Sequence, residues 1–295
     1  MSVRPASKMT ILALYHDLVR CLSAAGIMDA EVEATLLLTH VVECRRSDIF
    51  INGSRLVADA QYDAVRRALA RRLTREPLAY ILGEQEFYGR AFAVNPAVLI
   101  PRPETELLVE RAVAALRGKE RQAPPRILDL GSGSGIIAIT LALELPDAVV
   151  VGLDLSLAAL QVAQANASRH GVGDRIHWLN SNWGGGLGDG LAFDLLAANP
   201  PYVAQQMAAS LQPELAAEPA LALYGGDDGR MEIDRIMADC ARLLCPGGLL
   251  LMEIGFDQGE HVAARMHALG HFDQVVVHED YAGLPRILQA RRRVG

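Results

Sequence analysis

Arg126-Ile127-Leu128-Asp129-Leu130-Gly131-Ser132-Gly133-Ser134-Gly135 decides the fold. Its first half is apolar at 127, 128 and 130, without the polar alternation of a half-exposed strand, and reads as a strand buried on both faces. Three glycines at alternate positions follow, and then an apolar helical pattern over 136–145. Strand, glycine loop and helix in that order open a doubly wound α/β unit, where glycine lets the backbone approach a ligand closely. A glycine loop by itself is a weak signal that also suits a dinucleotide.

Working outward, the strand–loop–helix texture repeats to the C-terminus. The pattern predicts strands at 126–130, 149–153, 175–179, 193–198, 248–254, 273–278 and 285–290, with helices over 136–145, 157–170, 231–244 and 258–269. Apolar strands alternating with helices imply a mainly parallel sheet covered on both faces. The last two strands are joined too tightly for a crossover helix and should pair antiparallel.

Upstream the texture differs. Ile11, Leu14, Leu18, Val19 and Leu22 have helical spacing, stopped by Gly26. Asp29 and Asp59 are placed to cap two further helices. Residues 86–94 read as a hairpin with aromatics around a glycine turn, and 107–116 as an amphipathic helix. The expected division is a helical domain over 1–83, a hairpin linker over 84–106 and an α/β domain over 107–295.

Composition narrows the function. The chain has 295 residues, 51% hydrophobic and 21% charged, and its net charge of −7 disfavours general nucleic-acid binding. Arg66, Arg67, Arg71, Arg72 and Arg75 cluster on one predicted helix, either as a solvated face or as a contact for an acidic or RNA-containing partner. No apolar run is long enough to cross a bilayer, and residues 1–10 lack a secretory h-region, so a cytoplasmic location is expected. Cys21, Cys44, Cys240 and Cys245 form no CxxC pair and read as reduced, mostly buried thiols; no metal site is expected.

Four further places carry chemistry. Asp154 ends the second strand, where an acidic residue can accept ribose hydroxyls. Asp129 adds negative charge beside the glycines, which suits a cationic ligand better than a pyrophosphate. It also suits simple loop capping. S-adenosylmethionine has a ribose, a sulfonium and an ammonium, and no phosphate. Asn182-Trp183 follows the third strand and can meet an adenine by hydrogen bond or stacking, or Trp183 can be a core anchor. Asn199-Pro200-Pro201-Tyr202 ends the fourth strand. Its prolines stiffen the chain, and the Asn199 side-chain carbonyl and Pro200 carbonyl can receive a planar –NH2 group beside the Tyr202 ring. The bland alternative is a proline-rich turn.

Taken with Glu76–Gly83 (Glu-Pro-Leu-Ala-Tyr-Ile-Leu-Gly), Phe87-Tyr88-Gly89, Leu99-Ile100-Pro101-Arg102-Pro103-Glu104-Thr105-Glu106, Glu218-Pro219 and Gly225-Gly226-Asp227-Asp228-Gly229, these segments span nearly the whole chain. The chain resembles the class I S-adenosylmethionine-dependent methyltransferases, and within them the HemK-type protein glutamine N5-methyltransferases, closest to those acting on peptide chain release factors. The resemblance implies a doubly wound seven-stranded sheet with a small helical domain for substrate recognition. It implies that Asp129, Gly131, Ser132, Gly133, Ser134, Gly135, Asp154, Asn182, Trp183 and Asn199 bind S-adenosylmethionine. It implies that Asn199 and Pro200 act in catalysis, and that Asn199, Pro200, Pro201, Tyr202, Arg102 and Glu218 bind a glutamine in the Gly-Gly-Gln loop of release factors. One departure is visible: the family usually has Asp before Trp183, and this chain has Asn182.

Rival readings are a glutamine methyltransferase of a ribosomal protein, an N6-adenine methyltransferase, a non-catalytic cofactor sensor and a nicotinamide-dependent oxidoreductase. The Arg102–Glu106 segment disfavours the first. The acidic balance and an aromatic content of 5% disfavour the second. An intact Asn-Pro-Pro-Tyr beside the glycine loop disfavours the last two.

Overall fold

The computed structural model describes residues 9–118, 123–188 and 190–294. The chain divides into two compact units: Met1–Gly83 with Pro213–Ala217, and Glu84–Gln212 with Glu218–Gly295. The secretory-segment reading falls largely on residues 1–8, outside the described residues. Among those described, no helix is long and apolar enough to cross a membrane.

The first unit holds five helices: α1 (Ile11–Ala24), α2 (Ala30–Val42), α3 (Arg46–Ile51), α4 (Asp59–Leu73) and α5 (Leu78–Leu82). Leu14, Leu18 and Leu22 of α1 pack with Leu37, Leu38, Val65 and Leu69 as one core. Gly26 at φ +71° ends α1, and the Ile27 N–H returns to the Leu22 carbonyl at 3.1 Å. Asp29 is the N-cap residue of α2, but its side chain makes no capping bond. Asp59 is not a cap: Ala58 holds that place, Asp59 is the first helical residue, and Gln61 Oε1 accepts the Ala58 N–H at 3.4 Å. Helices α3 and α5 have 6 and 5 residues, too short to show a period.

The arginine cluster is not one solvated face. Arg72 is 4% exposed and donates to both carboxylate oxygens of Glu33, at 2.7 and 3.0 Å, and to Glu214 at 2.9 Å. Arg75 donates to Glu214 at 3.1 Å, Arg66 to Asp17 at 3.0 Å and Arg71 to Glu76 at 2.8 Å. Arg67 is exposed. Of the cysteines only Cys240 is buried; Cys21, Cys44 and Cys245 are half-buried.

The second unit opens with a hairpin, β1 (Glu84–Phe87) and β2 (Arg90–Ala93), turning at Tyr88 and Gly89 with φ of 53° and 69°. Two left-handed residues in succession make the tight turn that matches strand twist. Then come α6 (Glu104–Leu116), β3 (Arg126–Leu130), α7 (Ile136–Glu144), β4 (Val149–Asp154), α8 (Leu157–Arg169), β5 (Ile176–Asn180), β6 (Phe193–Ala198), α9 (Ala220–Leu223), α10 (Met231–Leu243), β7 (Leu244–Glu253), α11 (Gly259–Leu269), β8 (Phe272–Glu279) and β9 (Pro285–Arg292). The seven-stranded sheet has the order β5-β4-β3-β6-β7-β9-β8. Its first five strands run parallel, and β9 pairs antiparallel with β7 and with β8. This is the class I S-adenosylmethionine-dependent methyltransferase fold.

Both faces of the central strands are buried, as their apolar runs require. Ile127, Leu195 and Leu251 pack on α6 and α7, while Leu128, Leu196 and Leu250 pack on α10 and α11. Strand β7 begins four residues before the expected 248, through an irregularity that holds Pro246 and Gly247 between the pairs Phe193–Leu244 and Leu195–Leu249. The chain leaves β3 for β4 on one side and returns to β6 on the other. Leu130 pairs with Ala198 in parallel register. The residues that follow, Gly131 and Asn199, therefore leave the sheet side by side at its topological switch point, where such sheets bind ligands.

Candidate active site

The loop after β3 is shaped by its backbone. Gly131, Gly133 and Gly135 all have positive φ. At Gly131 the need for glycine is double: φ is +77°, and a Cβ would stand 3.2 Å from the Trp183 ring. The loop is tied to the end of β4 by the Gly131 and Ser132 N–H groups, which donate to the Leu153 carbonyl at 2.9 and 2.8 Å. Asp154 completes the tie, accepting from Gly133 N on Oδ2 and from Ser156 N on Oδ1, each at 2.8 Å.

Asp129 is fully buried behind this loop. Its Oδ2 accepts the Ala138 N–H at 3.3 Å, and its Oδ1 has no hydrogen-bond partner among the described residues. Burial pushes its carboxyl up to about 7, against the pull of the neighbouring Ser132 hydroxyl, which donates to the Asp129 backbone carbonyl at 3.3 Å, and of the Ala138 N–H. Burial also raises Asp154, against the pull of its backbone donors. An orphaned buried carboxylate oxygen next to a second carboxylate fits a ligand bearing positive charge. A pyrophosphate would face both carboxylates.

On the other side of the switch point, Asn199 Nδ2 donates to Thr105 Oγ1 at 3.1 Å, and the Thr105 hydroxyl donates to Glu253 Oε2 at 2.7 Å. The Tyr202 hydroxyl donates to Glu253 Oε1 at 3.1 Å. Thr105 and Glu253 are both fully buried. Burial raises the Glu253 carboxyl, while bonds from Thr105 and Tyr202 and the charge of Arg286 lower it and Glu104 raises it. Burial, then the charge of Glu253, also raises the Tyr202 phenol.

The backbone of 201–204 is held from behind. Gly225 and Gly229 lie so close that a Cβ would meet the Pro201 carbonyl at 2.3 Å and the Tyr202 carbonyl at 2.2 Å, respectively. Gln258, itself buried, donates from Nε2 to the Tyr202 and Gly229 carbonyls at 3.1 Å each and accepts from Gly255 N at 2.8 Å. The glycines of the Gly225–Gly229 segment thus have a physical reason: only residues without a side chain admit the loop after β6 at backbone contact.

The 100–106 segment is engaged throughout. Glu218 accepts from Ile100 N at 2.9 Å and from Arg102 at 2.6 Å. Glu106 accepts from Tyr88 N at 2.7 Å.

A cleft of about 320 Å³ lies over these loops. Of the residues anticipated from the sequence, Arg102, Gly131, Ser132, Gly133, Ser134, Asp154, Asn182, Trp183, Asn199 and Pro201 line it. Asp129, Gly135, Pro200, Tyr202 and Glu218 are not in its lining. Glu218 has one carboxylate oxygen on Ile100 and the other on Arg102, so it braces the wall rather than facing the space. Trp183 both lines the cleft and packs on the sheet core, its Nε1 donating to Glu232 Oε2 at 2.6 Å. Leu99, Tyr224, Glu232 and Arg235 also line the cleft and were not anticipated. Leu99 opens the 99–106 segment and Tyr224 immediately precedes the glycine segment; no motif marks Glu232 or Arg235.

The PrmC N-terminal domain family matches residues 13–83, and the Methyltransferase small domain family matches residues 104–233. The release factor glutamine methyltransferase of Nitratidesulfovibrio vulgaris is 40% identical over 100% of this chain and 99% of its own. That of Bordetella pertussis is 43% identical over 87% of this chain and 93% of its own. A solved methyltransferase structure from Pyrococcus furiosus superposes with a TM-score of 0.52 at 16% identity, covering 77% of this chain and 98% of that one, a likeness of fold.

Proposed function

The chain belongs to the release factor glutamine methyltransferase family, and from that premise we propose that it methylates the side-chain amide nitrogen of the glutamine in the Gly-Gly-Gln loop of peptide chain release factors. It is an S-adenosylmethionine-dependent protein methyltransferase. A cytoplasmic location is proposed with the substrate. When bound, S-adenosylmethionine supplies a methyl carbon made electrophilic by the adjoining sulfonium. We assign its binding to the loop Gly131–Gly135, Asp129, Asp154, Asn182 and Trp183, and substrate binding to Asn199, Pro200, Pro201 and Tyr202, with Arg102 as a wall braced by Glu218.

One observation carries this reading. Asn199 borders the cleft beside the glycine loop, and its Nδ2 is engaged by Thr105, so its Oδ1 is the atom left for a ligand. A carboxamide nitrogen is a weak nucleophile, because its lone pair is delocalised into the carbonyl. Asn199 Oδ1 and the Pro200 carbonyl, accepting one amide hydrogen each, raise electron density on that nitrogen and orient it. Holding the nitrogen in line supplies up to about 7–11 kcal/mol of the barrier. The nitrogen sheds its proton to solvent after transfer, so no strong base is required. Small glycines beside the target glutamine let the substrate loop enter a narrow cleft.

The test is transfer of labelled methyl to purified release factor, ribosomal protein and RNA in parallel, with mass mapping of the product. Label on the Gly-Gly-Gln glutamine is expected; label on RNA alone overturns the reading. Asn199→Ala should lower kcat by about a hundredfold or more while cofactor affinity changes little. Near-normal turnover in that variant would remove the amide-holding role.

A further inference from the structure

We propose that Glu253, through the Thr105 hydroxyl, fixes which way round the Asn199 amide points, so that its oxygen and not its nitrogen faces the substrate. The proposal rests on the function above and adds two positioning residues to it. The argument is one of hydrogen-bond polarity. A carboxylate only accepts. With Oε2 of Glu253 at 2.7 Å, the Thr105 hydroxyl hydrogen is committed to Glu253, and Thr105 Oγ1 is left to accept. The Asn199 group facing it at 3.1 Å must then be the –NH2, which turns Oδ1 the other way. The opposite amide orientation would set a carbonyl oxygen against Thr105 Oγ1 lone pairs and present two N–H donors to a substrate –NH2 group. Two donors against two donors leaves the substrate amide unpaired in a desolvated site.

The network is built to hold that polarity. Thr105 and Glu253 are fully buried, so water does not compete for the hydroxyl. The other carboxylate oxygen takes the Tyr202 hydroxyl at 3.1 Å, so both oxygens of Glu253 are approached by O–H donors. Burial, and after it Glu104, the neighbour of Thr105 on α6, oppose the ionised form; the two O–H donors and Arg286, from β9, favour it. Thr105 sits in the first turn of α6, on the 100–106 segment, and Glu253 ends β7. Two elements thus meet behind the loop that follows β6 and decide the direction of one side chain at its start.

Two measurements test this, one without substrate. Neutron diffraction on the perdeuterated wild-type protein should show two deuterons on the Asn199 atom facing Thr105 and the Thr105 deuteron pointing at Glu253. An oxygen at that position, or a deuteron on Glu253 pointing at Thr105, overturns the proposal whatever the substrate proves to be. Kinetics on release factor then separate positioning from folding. Thr105→Val keeps the side-chain shape and removes the hydroxyl. It should lower kcat by about 10- to 100-fold with the calorimetric Kd for S-adenosylmethionine within about twofold. Thr105→Ser, which restores the hydroxyl, should recover most of that loss. If Thr105→Val turns over as fast as wild type, or Thr105→Ser is as slow as Thr105→Val, the hydroxyl does not set the amide. Should the wild type label no release factor, the substrate reading fails while the neutron result still judges the polarity.

Discussion

At the residue scale, Asp129 makes a pH prediction with a definite sign. Burial lifts its carboxyl from the ordinary 3.8 to about 7, with Ser132 and Ala138 lowering it and Asp154 raising it. Because the folded value exceeds the unfolded one, the stability this group contributes is full below about pH 4 and is lost as pH rises through about 7. A cationic ligand favours the ionised form, so S-adenosylmethionine affinity should rise with pH through about 7 and then level off, with a proton released on binding near pH 6. Calorimetry in two buffers of different ionisation heat reads the proton directly. Asp129→Asn should flatten the profile, and a flat profile in the wild type would place the carboxylate already ionised in the empty protein. Asp129 stands out in the sequence because it precedes the glycines by two residues, and Asp154 because it ends the next strand. Thr105 as an orienting group does not stand out. Its partner Glu253 lies 148 residues away, and nothing local to Met252-Glu253-Ile254 distinguishes a buried acceptor from a strand-end carboxylate.

At the element scale, the loop after β6 depends on the loop before α10. A Cβ at Gly229 would lie 2.2 Å from the Tyr202 carbonyl oxygen, and φ there is +77°. Backbone oxygen cannot swing aside as a long side chain can, so Gly229→Ala must move residues 201–204. The expected result is a kcat lowered by more than about tenfold, since small misplacements of reacting groups are costly, with little change in cofactor affinity. Gly171→Ala is the control. Its φ is +70° with nothing within 4 Å, so it should lose about 1 kcal/mol of stability, read by urea denaturation, and keep its kcat. A Gly229→Ala enzyme that behaves like this control would show that the contact yields without moving the loop. Continuous apolar runs signal two-faced burial in the central strands, β3, β6 and the second half of β7, whereas the edge strands β5 and β8 are partly exposed. The pattern does not show α3 and α5, which are shorter than two helical turns, and the expected strand starts at 248, four residues after β7 begins, where the strand holds an irregularity around Pro246 and Gly247.

At the scale of the whole molecule, the sequence changes texture from Pro77 on, where helical spacing gives way to a hairpin pattern with aromatics around a glycine turn. What the arginines do is not legible there. Charge clustering along α4 looks like a surface in one dimension, but the helix turns Arg72 inward, to Glu33, 39 residues away, and to Glu214, 142 residues away. A charge reversal at Arg72 would therefore report folding rather than docking. Arg72 is 5% exposed at its side chain, and removing it takes the guanidinium from Glu33 and leaves Glu214 with Arg75 alone. Breaking a buried pair by deleting one partner is destabilising by about 3–5 kcal/mol, and the partial exposure of the two glutamates puts Arg72→Ala at the lower end. Urea denaturation should register that loss. At temperatures where the variant is partly unfolded, turnover should fall equally on intact release factor and on a short glutamine peptide. Arg72→Lys should recover only part of the stability, because a single ammonium cannot reproduce the fork that reaches both carboxylate oxygens of Glu33 and still bonds Glu214. A selective loss on the intact release factor, with stability unchanged, would instead make Arg72 a docking residue.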